Sequence, residues 1–451
     1  MSKALFWMLW VSGQLVSESR FDEHVARLAS DAMEGRAPGT EGGDRAARYI
    51  FEQLRGAGLA PELHEVPLVA RAAPEEASLK VLAGRQARVV PAEAFRLSSE
   101  TANEMVELKA PVVFEKIEDA AGAIIALRLG DRHEDIVLAR ARELGARGVV
   151  LIVDEPPSRP DEPRWAPDWE AARGLEVVAR VEASRGVLDP AEDVELEIRL
   201  RSRVRRFSSP NVVATLAGKD PNAGAVLLIA YYDAYGIGEP DASGDPIYNG
   251  ALDNAMGVSA LIELAAHFAA SDAPLDRTLV FVATTAEEHG ALGARFYADH
   301  PLVPLGDIAI VLNIDGINPV APTDDFIVFP SQGIEVSEAL SAIGKRVAMH
   351  LVSESWQEGL HFAFDTAPFL VRGLVGITLW QGPSYRGLSR NEATKRRKRF
   401  GNIHTPGDEW PGRSDRDAVA QHLRLYIAAV EHFVDGSTPR SRVSTSGPFA
   451  P

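Results

Sequence analysis

From Ser209 onward, short apolar runs alternate with stretches of helical period, and the runs lead directly into acidic residues. The runs Ala225–Ala230, Thr278–Ala283, Ile308–Leu312 and Gly376–Trp380 have strand length and no alternation of polar residues. Helical spacing follows at Val258–Ala269, Leu292–Ala298 and Ala418–Val434. Apolar strands interleaved with helices predict an α/β domain with a mixed, mostly parallel, helix-flanked sheet. In such sheets ligands bind beyond the carboxyl ends of the strands. Asp233 follows the first run, Glu287 and Glu288 the second, and Asp315 the third, so these side chains are expected to share one crevice.

Asp253 stands in the segment Asn249–Gly257, which opens the next helix, and His404 lies in Asn402-Ile403-His404-Thr405-Pro406 before the last one. Ionised carboxylates gathered in one crevice repel one another, so they take up protons or a cation neutralises them. A divalent metal satisfies that requirement. The chain has no cysteine, which leaves carboxylate, imidazole, phenolate or water as ligands and excludes thiolate sites, disulfides and cysteine nucleophiles. Glu287 and Glu288 directly follow a strand and point in different directions, so one can bind metal while the other faces the metal-bound water. A lone histidine or a lone Glu-Glu pair carries little on its own; the combination carries the reading. No motif supports serine or threonine nucleophile chemistry.

Composition limits the alternatives. With 47 basic and 64 acidic residues the net charge is −17, which disfavours nucleic acid and anionic membrane surfaces as partners. A length of 451 residues suits two domains. Catalytic patterning is expected in 1–65 and 206–436, with an inserted β-rich domain over 66–205 and a mobile tail over 437–451. Within the insert, Ala110–Phe114, Ala123–Leu127 and Gly148–Val153 read as strands around a helix at Ile136–Leu144. The proline-rich stretch Pro156–Pro167 reads as a loop. Before it, Arg20–Ile50 reads as two helices around a break at Gly35–Gly43. The start, Met1–Gly13, has an apolar stretch too short to span a bilayer. It reads equally as a curtailed signal peptide, with export, or as an amphipathic first helix.

The segments Leu228-Ile-Ala-Tyr-Tyr-Asp-Ala-Tyr-Gly-Ile-Gly, Ile247-Tyr-Asn-Gly-Ala-Leu-Asp-Asn-Ala-Met-Gly and Ala286-Glu-Glu-His-Gly-Ala-Leu-Gly occur in that order. Together with Met33-Glu-Gly-Arg-Ala-Pro-Gly-Thr they resemble the co-catalytic di-zinc aminopeptidases. That family also holds glutamate carboxypeptidase II, glutaminyl cyclase and the transferrin receptor. The middle region resembles the protease-associated domain often inserted there. The resemblance implies a peptide or amide substrate, zinc as cofactor, and Asp253 as the carboxylate bridging two metals. Glu288 and His404 would complete one site, Asp315 would serve the other, and Glu287 would be the general base.

The pattern breaks where the family carries His-x-Asp. Tyr231 replaces the metal-binding histidine, Ala234 stands where another histidine is common, and Phe364-Asp365-Thr366 replaces Ser-Asp-His. Asp233, which would orient the missing histidine, is expected to bond the Tyr231 hydroxyl instead. Three readings stay open. Tyr231 is a phenolate ligand; or its site is weak and one zinc works alone, as in a glutaminyl-cyclase-like acyl transferase; or the chain is a catalytically silent binding protein. Retention of Glu287 disfavours the last. Lys395–Arg399 reads as a solvated loop, the alternative being a patch that receives an acidic substrate group. Trp356, Trp380 and Trp410 fit core packing better than a pocket lining.

Overall fold

The computed structural model describes residues 18–116, 119, 121–129, 134–154, 164–168, 175–273, 275–331, 334–353, 364–398, 402–441 and 443. Met1–Gly13, Trp356 and Arg399 fall outside them, as does most of the tail, although Val443 bridges to Ile334. The chain divides into two compact units, one made of Met1–Val66 with Ser209–Pro451 and the other of Pro67–Ser208.

The larger unit is built on a mixed sheet. Its strands run in the order His350–Leu351, Asp325–Phe329, Gly376–Gln381, Ile308–Asn313, Ala225–Tyr231, Thr278–Thr284 and Val204–Leu216. The inner pairs are parallel, whereas Asp325–Phe329 runs antiparallel to Gly376–Gln381 and parallel to His350–Leu351, and Val204–Leu216 runs antiparallel to Thr278–Thr284. Ala225–Tyr231 is buried along its whole length, as expected of a parallel strand covered on both faces. Asp325–Phe329 escapes sequence reading because its short apolar run is ambiguous between strand and buried helix.

One face carries the helices Glu18–Leu28, Glu41–Gly56, Met256–Ala269 and Arg416–Phe433. Their residues Phe21, Val25, Ile50, Leu54, Leu261 and Phe433 join Leu228 and Phe281 of the sheet in one core. Thr40 caps the second of these helices by accepting from the Gly43 backbone N–H, and Asp415 caps the last through Ala418. On the opposite face Ala294, Tyr297 and Phe369 pack on Leu227, Ile229 and Val282. Among the described residues no helix is long and apolar enough to cross a membrane.

In the smaller unit the strand order is Gln86–Val89, Glu76–Ala83, Glu195–Arg201, Met105–Phe114, Ile124–Arg128, Gly148–Val153, Val177–Glu182 and Phe95–Ser98. The helix Glu134–Glu143 buries Val137, Leu138 and Ala141 against Ile125, Leu127 and Val149, while Leu108, Leu196 and Ile198 pack in a separate core. The expected loop Pro156–Pro167 is a strand over Arg164–Pro167, paired with Leu68–Arg71. Its proline ends the strand rather than interrupting it.

Candidate metal centre

Parallel register places the ends of adjacent strands side by side: Tyr231 pairs with Thr284. Whatever follows those residues therefore emerges at one edge of the sheet, and Asp233, Glu287 and Glu288 do so. Asp253 is carried by a turn that Gly250 starts at φ +54°. A side chain on Gly250 would place its Cβ 2.4 Å from the Asp253 carbonyl oxygen and 2.9 Å from the Arg36 guanidinium, so the close approach requires glycine. His404 reaches the same point from its loop with φ +60°, a left-handed conformation that is uncommon for a non-glycine residue.

Three of the sequence-selected side chains converge. One donor atom each from Asp253, Glu288 and His404 lies within 4.8 Å of the other two. His404 Nε2 is 2.9 Å from Asp253 Oδ2 and 3.7 Å from Glu288 Oε2. Two carboxylate oxygens and one imidazole nitrogen are a donor set suited to zinc, and the half-exposed imidazole keeps the position accessible. Asp365, whose charge acts on Glu287 and Asp315, is buried, accepts from Thr284 and has no hydrogen-bond partner among the described residues at its other oxygen.

Tyr231 and Asp315 stand apart from this triad. The Tyr231 hydroxyl donates to Asp253 Oδ1 and faces Asp315 Oδ1 at 3.3 Å. Burial, followed by the charges of Asp253, Asp315, Glu287 and Glu288, pushes its ionisation far above the usual phenol range, so with no cation beside it the phenol keeps its proton. The expected bond from Tyr231 to Asp233 does not form. Asp233 instead accepts the backbone N–H groups of Glu287 at 3.0 Å and Glu288 at 3.3 Å. Two amides turned inward after the strand end satisfy that buried carboxylate, leaving the phenol to the carboxylates across the cleft.

Desolvation is the largest influence on Glu287, Glu288, Asp315, Asp233, Asp365 and Asp408. It raises Glu287, Glu288 and Asp315 well above the carboxylate range, with neighbouring acids adding to the effect. Asp233, Asp365 and Asp408 are pushed up to about 7. Such a buried acidic cluster favours a bound cation.

Two supporting residues were not assigned roles from the sequence. Asp408 accepts the backbone N–H groups of Leu252 at 2.9 Å and Asp253 at 3.0 Å, fixing the turn that carries Asp253. Arg36 is fully buried and donates to the carbonyls of Leu28, Tyr232, Asn249 and Gly250. Burial lowers it to about 10, while Asp233 and Asp408 act in the opposite direction. The proximity of Asp408 to His404 in the chain and the Met33–Thr40 motif were the available signals. Trp380 donates its indole N–H to the Asp315 carbonyl and packs on Phe329 and Phe364, while Trp410 packs against the main core.

Residues 211–430 match the model of peptidase family M28. They form a peptidase family M28 domain. Pro67–Ser208 lies outside the match. Among curated relatives, the vacuolar membrane protease of Saccharomyces cerevisiae is 35% identical over 30% of this chain, and that of Clavispora lusitaniae is 27% identical over 39%. The aligned parts span only 12% and 16% of those proteins. Relatives named vacuolar membrane proteases give no support to the expectation that membranes are excluded as partners. The M28 fold is also that of an aminopeptidase from Aneurinibacillus sp. strain AM-1, at TM-score 0.55 and 17% identity over 93% of this chain and 94% of the other. BSAP, a zinc aminopeptidase from Bacillus subtilis, matches at TM-score 0.52 and 18% identity over 97% and 98%.

Proposed function

We propose that this chain is a zinc-dependent peptidase or amidohydrolase of aminopeptidase type, with one tightly held zinc on Asp253, Glu288 and His404. The convergence of those three donors next to the half-buried Glu287 carries the reading. Zinc bound there would supply Lewis acidity, polarising the scissile carbonyl and acidifying water. Glu287 is the general base. Its proton affinity, raised by burial and by Asp365, Glu288 and Asp315, suits it to take a proton from the attacking water and hand it to the leaving amine. Asp233 holds the backbone of both glutamates, and Asp408 holds that of Asp253.

The second metal position of the co-catalytic arrangement is weakened in this chain. Tyr231 offers a neutral hydroxyl where an imidazole would bind, and it occupies one oxygen of Asp253 and faces one of Asp315. A mono-zinc acyl transferase related to glutaminyl cyclase is the second reading, favoured by the same feature. Screening the purified protein on aminoacyl, acyl-amino-acid and dipeptide amides, before and after chelation and zinc return, tests the proposal. Hydrolysis that disappears on chelation and returns with zinc is expected. Cyclisation of amino-terminal glutamine without hydrolysis would establish the second reading, and chelator-resistant hydrolysis would contradict both.

A further inference from the structure

The basic run that reads as a loop in the sequence is, through Lys398, the end of a helix. Arg390–Arg397 starts from a capping box: the Ser389 side chain accepts the Glu392 backbone N–H, and the Glu392 carboxylate accepts the Ser389 N–H at 2.9 Å. Five of the nine residues Arg390–Lys398 are basic and one is acidic, which makes this a cationic patch in a chain of net charge −17. Lys395, Arg396, Arg397 and Lys398 are all exposed. Arg386, just before the helix, pairs with Asp324 at 2.6 Å. Among the described residues none of the four has an ion pair of that kind, and Glu392 is engaged by the cap. The helix dipole favours cations in the last turn, but four adjacent like charges also repel one another within a screening length of ~8 Å. An anionic ligand would relieve that repulsion.

The patch is held at the edge of the sheet where the metal centre lies. Ala393, the buried residue of the helix, packs on Val320 and Ala321 with Tyr385 and Leu388 beside them. Tyr385 bridges to Thr323, and the Arg386 N–H donates to the Pro322 carbonyl at 2.8 Å. Two residues after Thr323 the strand Asp325–Phe329 begins, and Phe326 pairs with Gln381 at the carboxyl end of Gly376–Gln381. That strand lies next to Ile308–Asn313, which leads to Asp315. Adjacent strands are ~4.8 Å apart, so the anchor of the helix stands about one to two spacings, ~5–10 Å, to the side of the strand that carries Asp315. On its other side Lys398 precedes His404 by six residues, at most about 22 Å of extended chain.

We propose that Lys395, Arg396, Arg397 and Lys398 form a docking subsite for acidic residues of a peptide substrate, beyond the bond that is cleaved. This rests on the peptidase reading of the metal centre. An extended peptide advances about 3.3 Å per residue, so acids roughly three to six positions from that bond reach the cations. The net charge of −17 repels an extended anionic surface such as a membrane. A short acidic segment that meets only this patch escapes that repulsion. The subsite therefore selects among peptides by charge, while the metal centre acts on the bond.

The test compares a hexapeptide of Leu-Ala followed by four glutamates with its counterpart carrying four glutamines. Hydrolysis by the zinc-loaded full-length protein is measured at low salt and at about 0.5 M salt, where the screening length is a few ångströms. Dissociation constants of both labelled peptides are measured on the zinc-free protein by fluorescence anisotropy. Wild type is compared with Arg397→Glu and with a variant combining Lys395→Gln, Arg396→Gln, Arg397→Gln and Lys398→Gln. Wild type is expected to favour the glutamate peptide by about 10-fold in kcat/KM, through KM, the scale of several exposed ion pairs acting together. That preference is expected to shrink toward unity in high salt and in the combined variant, and to weaken in Arg397→Glu. No preference in wild type, or a preference undiminished in the combined variant, would overturn the inference. If neither peptide is hydrolysed, the peptidase reading fails and the zinc-free constants decide the subsite separately: equal constants overturn it, and tighter glutamate-peptide binding that the combined variant loses supports it. Binding to phosphatidylserine vesicles that the combined variant loses, without any preference for the glutamate peptide, would make the patch a membrane contact and overturn the inference.

Discussion

Tyr231 and Asp253 are joined by a hydrogen bond in which the phenol donates to Oδ1, while Oδ2 of the same carboxylate lies 2.9 Å from His404 Nε2. Asp253 is thereby divided between two tasks. One oxygen faces His404, and the other accepts from the Tyr231 phenol, which in the proposed reading stands where a second metal would otherwise compete for it.

Glu287→Gln is expected to reduce hydrolysis by at least ~10²-fold, the usual scale of general acid–base catalysis, with zinc content near wild type. The amide keeps the shape of the side chain and removes its ability to carry the proton. Steady-state rates and metal content of the same preparation check this; near-normal turnover would take Glu287 out of the mechanism.

Arg36→Met is expected to destabilise the protein by at least about 3 kcal/mol, because a hydrogen bond to a charged donor is worth roughly 1.5–3 kcal/mol and several buried carbonyls lose theirs together. The guanidinium is fully buried and serves four carbonyls around the turn that carries Asp253. Urea unfolding of the metal-free protein gives the change, and a loss below ~1 kcal/mol, the median scale of an exposed pair, would contradict the role assigned to Arg36.

The arrangement of strands was legible because it depends on short-range pattern, and the grouping of Asp253, Glu288 and His404 was expected from the ordered motifs that carry the family resemblance. An apolar run of strand length ends at Tyr231 or Thr284, and the acids that follow must leave the sheet together. What escaped was set by tertiary contact. Asp408 and Arg36 work by bonding backbone groups of the Asn249–Asp253 turn, which no spacing records. The partner of Tyr231 was misassigned because the inward turn of the Glu287 and Glu288 amides, which claims Asp233, depends on the loop conformation. Asp325–Phe329 is recognisable as a strand only once Gly376–Gln381 lies beside it.

Stability should fall in mild acid partly through His422. Its Nε2 donates to the Leu379 carbonyl, and burial lowers it from 6.5 to about 4. The folded protein therefore keeps the imidazole neutral at pH values where the unfolded chain is protonated. The contribution is complete above pH ~6.5 and is lost as pH falls toward ~4, at about 1.4 kcal/mol per pH unit. Between pH 7 and pH 5 wild type is expected to lose on the order of 2 kcal/mol more than His422→Gln. Equal losses in urea unfolding would show that His422 does not carry this dependence.

Every proposed ligand lies in the unit formed by Met1–Val66 and Ser209–Pro451. Replacing Pro67–Ser208 with a short linker is therefore expected to leave a protein that unfolds cooperatively and binds zinc as wild type does, with altered preference between short and long substrates. Loss of zinc binding from a cooperatively folded deletion variant would contradict the confinement of the centre to the larger unit. Identical rates on short and long substrates would contradict a role for the smaller unit in selection.

Metal counting by plasma mass spectrometry after exhaustive dialysis tests the central claim, that one zinc is held by Asp253, Glu288 and His404 and that Tyr231 weakens the neighbouring position. The account predicts one zinc per chain in wild type, one in Tyr231→Phe, none in His404→Ala, and a rise toward two in Tyr231→His. Two tightly held zinc ions in wild type, falling to one in Tyr231→Phe, would instead make Tyr231 a phenolate ligand and contradict the account.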